Sequence, residues 1–185
     1  MIIQATPYGT KKEEPFAFTY SGDFTDERVD GIGDVTLNTS GVFEVLSGTA
    51  TVSVYILAGG GGGFYFEGYF DYYAGGGGGG NQTVTVELTK GTYEIVVGTG
   101  GTRNKSPNYN VTASNGGNTT AFGYTSTGGG GAGITSSIYA GAAGSPNGTA
   151  GTKGDADQKN GYGGAPNGGS NYNSGRNGIV RITFS

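Results

Sequence analysis

The stretch "LAGGGGGFYFEGYFDYYAGGGGGGNQTVTVEL", Leu57 to Leu88, decides the fold. Five glycines, Gly59 to Gly63, and six more, Gly75 to Gly80, bracket eleven residues of which seven are aromatic. A flexible linker is the first reading of such runs. The flanks argue against it: before them Val52, Val54 and Ile56 alternate with Thr51, Ser53 and Tyr55, and after them Val84, Val86 and Leu88 alternate with Thr83, Thr85 and Glu87. Both are the period-two pattern of half-buried strands. Two such strands meeting in one sheet leave a connection of roughly 25 residues, too long to be structureless inside a compact domain. Collagen is the second reading, and "GGGGGG" and "GAGITSSIYAGAAG" do not keep its strict third-residue register.

The third reading is polyglycine II, an extended left-handed helix with three residues per turn, a rise of ~3.1 Å per residue and no internal hydrogen bonds. All its amides point outward, so buried rods of this kind must exchange hydrogen bonds with neighbours. Only glycine permits that approach on every side, which accounts for the purity of the runs. Gly59–Gly63 and Gly75–Gly80 then form neighbouring rods roughly 15 to 19 Å long, one running out and one back, with "FYFEGYFDYYA" as the loop at the far end. Further rods are expected from "GTGG" at Gly98, "GGGGAG" at Gly128, and the sparser "GAAGSPNGTAGTKG" and "GYGGAPNGG".

The remaining sequence reads as strands. "FAFTY", Phe16 to Tyr20, follows an arm with no clear period; "SGDFTDERVDGIGD" reads as an acidic loop; "DVTLNTSGVFEVLSGTATVSVYIL" holds short strands split by Asn-Thr-Ser-Gly and Ser-Gly-Thr. "QTVTVEL" and "KGTYEIVVG" around Lys90-Gly91 carry a hairpin signature, and "IVRITFS" closes the chain as one more strand. No window has helical periodicity. The expectation is a mostly β protein without α-helix, a β-sandwich of jelly-roll type with an inserted bundle of polyglycine II rods. Residues 1–20 form an arm and the start of the first strand, and 21–185 a single domain.

With 42 glycines in 185 residues, low-complexity disorder is the competing expectation; 22 Phe and Tyr, clean alternation and only 13% charged residues oppose it. A net charge of −4 without a basic stripe argues against a nucleic-acid partner. No cysteine or histidine is present, which removes disulfides, thiolate metal sites and imidazole chemistry. No carboxylate pair stands at a recognisable catalytic spacing, so neither an enzyme nor a cofactor is expected. The acidic set Asp23, Asp26, Glu27, Asp30 and Asp34 lacks the order of a calcium loop and is read as solvated. "MIIQATPYGTKKEEPF" resembles no secretion signal, and no stretch approaches a membrane span, so synthesis in a cytoplasm without membrane insertion is expected.

The order of strand, Gly run, variable loop, Gly run, "TVTVELTKGTYEIVVGTGG", "GGNTTAFG" and a final "NGIVRITF", over about Phe43 to Phe184, resembles the glycine-rich domain of phage and prophage tail proteins. Its physics is similar to that of the polyglycine adhesin at the tip of T-even-like long tail fibres and of the glycine-rich domain of the anaplastic lymphoma kinase receptors. The chain departs from both, with fewer long Gly runs than the adhesin and neither cysteine nor a kinase region. The resemblance implies a virion-surface structural protein made in the host cytoplasm and released by lysis. Its implied task is receptor recognition on a bacterial cell by a tail fibre or spike, through loops between rods. Its partners would be a surface glycan or outer-surface protein, other virion proteins and further copies of itself, a trimer among the options. The alternatives are a capsid or tail decoration protein without host contact and a secreted bacterial glycan-binding module.

Phe64, Tyr65, Phe66, Tyr69, Phe70, Tyr72 and Tyr73 are the candidate contacts, because exposed aromatics with hydroxyl rims mark binding surfaces. The equally weighted alternative folds these rings back as a small core or packs them on a second subunit. Arg103, Lys105 and Tyr109, in "TRNKSPNYNVTASN", stand in another loop between rods; the favoured reading leaves such charges solvated, and the alternative has them add polar contacts to an acidic or glycan target.

Overall fold

The computed structural model describes residues 14–67, 72–108, 110–134, 137–151 and 173–185. Its strands are, in order, β1 (Ala17–Tyr20), β2 (Phe24–Asp26), β3 (Gly33–Leu37), β4 (Gly41–Ser47), β5 (Ala50–Leu57), β6 (Phe64–Phe66), β7 (Tyr72–Ala74), β8 (Asn81–Leu88), β9 (Gly91–Ile95), β10 (Asn104–Ser106), β11 (Val111–Thr112), β12 (Thr119–Ala121), β13 (Tyr124–Ser126), β14 (Gly133–Ile134), β15 (Ile138–Tyr139) and β16 (Ile179–Phe184). No helix occurs among the described residues. The protein is all-β, as the periodicity predicts.

Two antiparallel sheets form the sandwich, β2-β3-β16-β5-β8 against β1-β4-β9. Alternation decides which side chains face inward. Val52, Val54 and Ile56 of β5 are buried, as are Val180 and Ile182 of the central β16, Val35 and Leu37 of β3, and Phe43 and Val45 from the smaller sheet. Phe18 stacks on Phe43 at 4.6 Å between ring centroids. At the edge of this core the Arg28 guanidinium lies 4.7 and 4.8 Å from the rings of Phe18 and Phe184, and Asp26 holds it with two hydrogen bonds of 2.9 and 2.7 Å. The hairpin of β12 and β13 turns through Phe122 and Gly123, both at positive φ. That turn sends the Phe122 ring edge-on against Phe43 and Tyr93 at 5.6 and 5.4 Å.

Two expectations are corrected here. "QTVTVEL" and "KGTYEIVVG" are strands, but they do not form a hairpin: β8 pairs with β5 and β9 with β4. Lys90-Gly91 therefore carries the chain from one sheet to the other. A short turn between two alternating strands is common to both arrangements, and the choice lies with burial: Leu88 and Ile95 face one core from opposite sheets. The acidic segment is likewise more than a loop, since it contains β2, paired with β3, and a bridge from Val29 to Ile32.

The glycine-rich segments are rods. Rod 58–63 continues β5 and rod 75–80 leads into β8; because Leu57 pairs with Asn81, the two enter the bundle side by side and antiparallel. Rod 58–63 lies at the centre, and its hydrogen bonds display the three-residue period directly. The amides of Ala58 and Gly61 donate to rod 75–80, those of Gly59 and Gly62 to rod 113–118, and those of Gly60 and Gly63 to rod 173–178, at 2.8 to 3.0 Å. Its carbonyls at Gly59 and Gly62 accept from rod 127–132, and those at Gly60 and Gly63 from rod 98–103 or the residue following it. Rods 140–145 and 148–151 extend the bundle beyond rod 75–80. "GYGGAPNGG" lies outside the described residues. The packing leaves no room for side chains: a Cβ on Gly61 would fall inside the contact radius of the Gly130 carbonyl oxygen, and one on Gly77 inside that of Ala142.

The bundle has two ends. One adjoins Leu57 and Ile179 of the sandwich, which pair with each other. The opposite end of β16, at Phe184, pairs with Gly33 on the far side of the sandwich, where Pro15 also accepts a hydrogen bond from Ser47. The described chain ends therefore lie away from the rods, and six residues of polyglycine II separate the sandwich from the distal tip by ~19 Å.

Candidate functional site

At the distal tip each outgoing rod turns into a short strand. Rod 58–63 becomes β6 and rod 98–103 becomes β10, and since the two rods run parallel the strands also pair in parallel, with β7 added antiparallel on the other side of β6. Alternation along β6 then separates its aromatics. Phe64 and Phe66 face inward and are buried with Ala74, Ala132, Ile134 and Ile138, with Val111 packed beside them. These rings belong to a second core that caps the rods. The fold-back alternative thus describes Phe64 and Phe66, while Tyr65 points to the other face.

On that other face, Lys105, Tyr65 and Tyr73 stand directly opposite one another across the three strands. The rings of Tyr65 and Tyr73 stack at 4.7 Å with 24° between planes. The Lys105 ammonium lies 5.3 Å from the Tyr65 centroid and 3.1 Å from the Glu67 carboxylate. Lys105 and Glu67 are exposed, and both tyrosines are half-buried. Tyr65 is thus flanked by the Tyr73 ring and the Lys105 ammonium. The row therefore combines hydroxyls, a cation and a carboxylate over an aromatic base, a composition typical of recognition surfaces that use Tyr as a rigid contact.

Of the other candidates, Arg103 is exposed at the end of its rod, with its backbone amide donating to Ser174 Oγ at 3.2 Å. Tyr72 pairs with Phe66 in β7. Tyr69, Phe70 and Tyr109 lie outside the described residues. Sequence reasoning missed Glu67 as a member of the site and the apolar support beneath it. A signal for that support was present, because Ile134 and Ile138 are the sole Ile, Leu or Val between Val111 and Ile179. Isolated aliphatics in a glycine-rich tract are conspicuous, and they mark where side chains resume packing.

The acidic set behaves as surface charge. Asp26 is taken by Arg28, whose hydrogen bonds hold the Asp26 carboxyl below the usual carboxylate range. Asp34 accepts from Thr183 Oγ1 at 2.7 Å, with Arg181 at 3.8 Å. No group of three or more carboxylates able to hold a metal ion occurs among the described residues.

Among known protein families, the one described as a glycine-rich domain matches residues 36–183. A search of the curated proteins returned no match.

Proposed function

The chain belongs to the glycine-rich domain family, and from that premise we propose that it is a phage virion structural protein, a tail-fibre or spike adhesin that recognises a bacterial surface glycan or outer-surface protein. The observation that carries this reading is polarity. The described chain ends lie at one pole, where a particle would hold the domain, and the row Lys105–Tyr65–Tyr73 lies at the other, on a stiff backbone scaffold. A rigid mount removes the ordering cost that a flexible loop would incur on binding. Several copies on one particle would multiply contacts that are individually weak.

The test is Tyr65→Ser with Tyr73→Ser, measured as adsorption of particles to host cells alongside particle assembly. Both rings stand on the face away from the second core, so the domain should fold and particles should assemble, with adsorption reduced at least about tenfold, as loss of two aromatic contacts predicts. Normal adsorption with failed assembly would instead make the protein a decoration component whose tip packs on a neighbouring subunit.

A further inference from the structure

Rod 58–63 has rods on every side for which a bond is described; rod 127–132 does not. Its amides follow the three-residue period. Thr127 and Gly130 donate to rod 140–145, and Gly129 and Ala132 to the central rod. The third direction, Gly128 and Gly131, meets no rod backbone among the described residues, only side chains of rod 113–118. There the side-chain oxygens of Asn118 and Asn115 accept the two amides, at 3.0 and 2.9 Å. The carbonyls follow the same period: Thr127 and Gly130 accept from rod 75–80, Gly129 and Ala132 from rod 113–118. The carbonyls of Gly128 and Gly131 accept no hydrogen bond from the described residues. Among the described residues rod 127–132 is thus an edge of the lattice, and beside it a cavity of about 350 Å³ opens between rods 113–118 and 140–145. Thr112, Ala113, Asn115, Tyr139, Ala140 and Ala142 form its walls, with Gly130 and Gly131 as its floor.

We propose that this groove binds one further extended glycine-rich strand, supplied by another polypeptide and held in the same three-residue conformation as the rods. The argument is continuity with the lattice. Gly131 lines the groove, and the second open carbonyl, that of Gly128, stands three residues before it along the rod, ~9 Å away, which is the spacing of every third amide in such a strand. The four rods already bonded to rod 127–132 use this pattern, and an unpaired backbone edge is a template for another chain. The small walls set the specificity. A partner must carry glycine or alanine where it meets the floor. The Tyr139 ring at the rim suits the flank of a three-residue helix. This site is separate from the tyrosine row at the tip, and the two proposals stand independently.

The experiment titrates the full chain, ¹⁵N-labelled, with a synthetic peptide of Gly-Gly-Ala repeats and follows amide resonances. Saturable shifts are expected at Gly128 to Ala132 and Ala140 to Ala142, unchanged in Tyr65→Ser/Tyr73→Ser. Ala142 is exposed on the groove wall, so Ala142→Leu should fill the groove and weaken the peptide by at least about tenfold. Thr112→Gln closes it from the opposite wall if the leucine variant fails to fold. The proposal is overturned if no resonance shifts up to millimolar peptide, if the shifts lie at the tip, or if the groove variants bind normally. It is also overturned if the Gly128 to Ala132 resonances move with protein concentration alone, which would give the groove to a second copy.

Discussion

Val54 and Phe43 are buried in the sandwich because their side chains fill the space between two sheets; Gly61 and Gly77 are buried in the bundle because they have none. The two regions solve the same problem with different groups. In the sandwich the backbone is satisfied within each sheet, and apolar transfer supplies the driving force. In the bundle the backbone is the packing surface, with carbonyls and amides of different rods in direct contact. Each rod hydrogen bond contributes only about 0.5 to 1.5 kcal/mol net, yet leaving one unmade in a buried site costs more. A side-chain core can relax around a lost methyl group. A lattice of main chains has no soft part to move, so the bundle should tolerate far less than the sandwich.

The sharpest way to break this contrast is to add one methyl group. Gly77→Ala places its Cβ within the contact radius of the Ala142 carbonyl oxygen, and rods on both sides must separate to admit it. The expected loss exceeds about 4 kcal/mol, beyond the ordinary range for single substitutions. Denaturant unfolding measures it, and hydrogen exchange should localise the damage, with the Gly59 to Gly62 amides losing protection while Val54 keeps its own. A loss below about 1 kcal/mol, the usual gap between glycine and alanine, would mean that the rods are loosely held. Next in size is removal of bulk from the sandwich. Phe43→Ala empties the centre where Phe18, Tyr20 and Phe122 converge. It should cost about 3 to 5 kcal/mol in the same assay, with a cooperative transition retained.

These two regions also differ in how far the sequence displays them. Alternation in "TATVSVYIL" and "IVRITF" reveals the strands and their inward faces, because a side-chain core writes itself into side chains. The pure runs Gly59–Gly63 and Gly75–Gly80 reveal the rods for the converse reason: they lie where neighbours close in on all sides. Rods 113–118 and 173–178 escape notice because they lie toward the surface. "ASNGGN" and "NSGRNG" keep glycine where another rod approaches, at positions such as Gly116 and Gly175, and elsewhere use Ala, Ser, Asn and Arg. At the tip, alternation in "FYF" is too short to orient by itself. The face of Tyr65 is set by Ile134 and Ile138, some 70 residues away in the chain, which no local pattern exposes. Sheet assignment failed at Lys90-Gly91 on the same ground, since a turn of that kind serves a hairpin and a crossing equally.

The surface-facing asparagines sharpen the comparison at its margin. Asn115 and Asn118 take the place of a rod by accepting the Gly131 and Gly128 amides, just as Asn177 accepts that of Gly100 at 2.8 Å. They work like helix N-caps, with a short polar side chain completing a backbone that has run out of neighbours. Asn115→Ala should therefore cost only about 0.5 to 1 kcal/mol, because water reaches the half-exposed Gly131 and replaces the bond. Faster exchange confined to the Gly131 amide would be the accompanying sign. A loss as large as that of Gly77→Ala would show that the bundle depends on its rim as much as on its interior.

The smallest effect belongs to the charge pair at the sandwich edge, and its pH dependence separates electrostatics from packing. Asp26 is hydrogen-bonded to Arg28, and this bond lowers its folded pKa below the unfolded carboxylate value near ~3.9. A lowered folded value means that the carboxylate form is favoured by the fold. The stabilisation is thus fully present above about pH 4 and disappears as the pH falls through the lowered value. Asp26→Asn should lower the Tm slightly at pH 7, and the gap to the parent should close as the pH falls below the unfolded carboxylate value and through the lowered folded one. If the contacts of Arg28 with Phe18 and Phe184 survive the substitution, the whole difference is electrostatic. A gap that stays constant across this range would assign the effect to altered packing against the rings. The edge of the sandwich would then be governed by side-chain fit alone, like its centre.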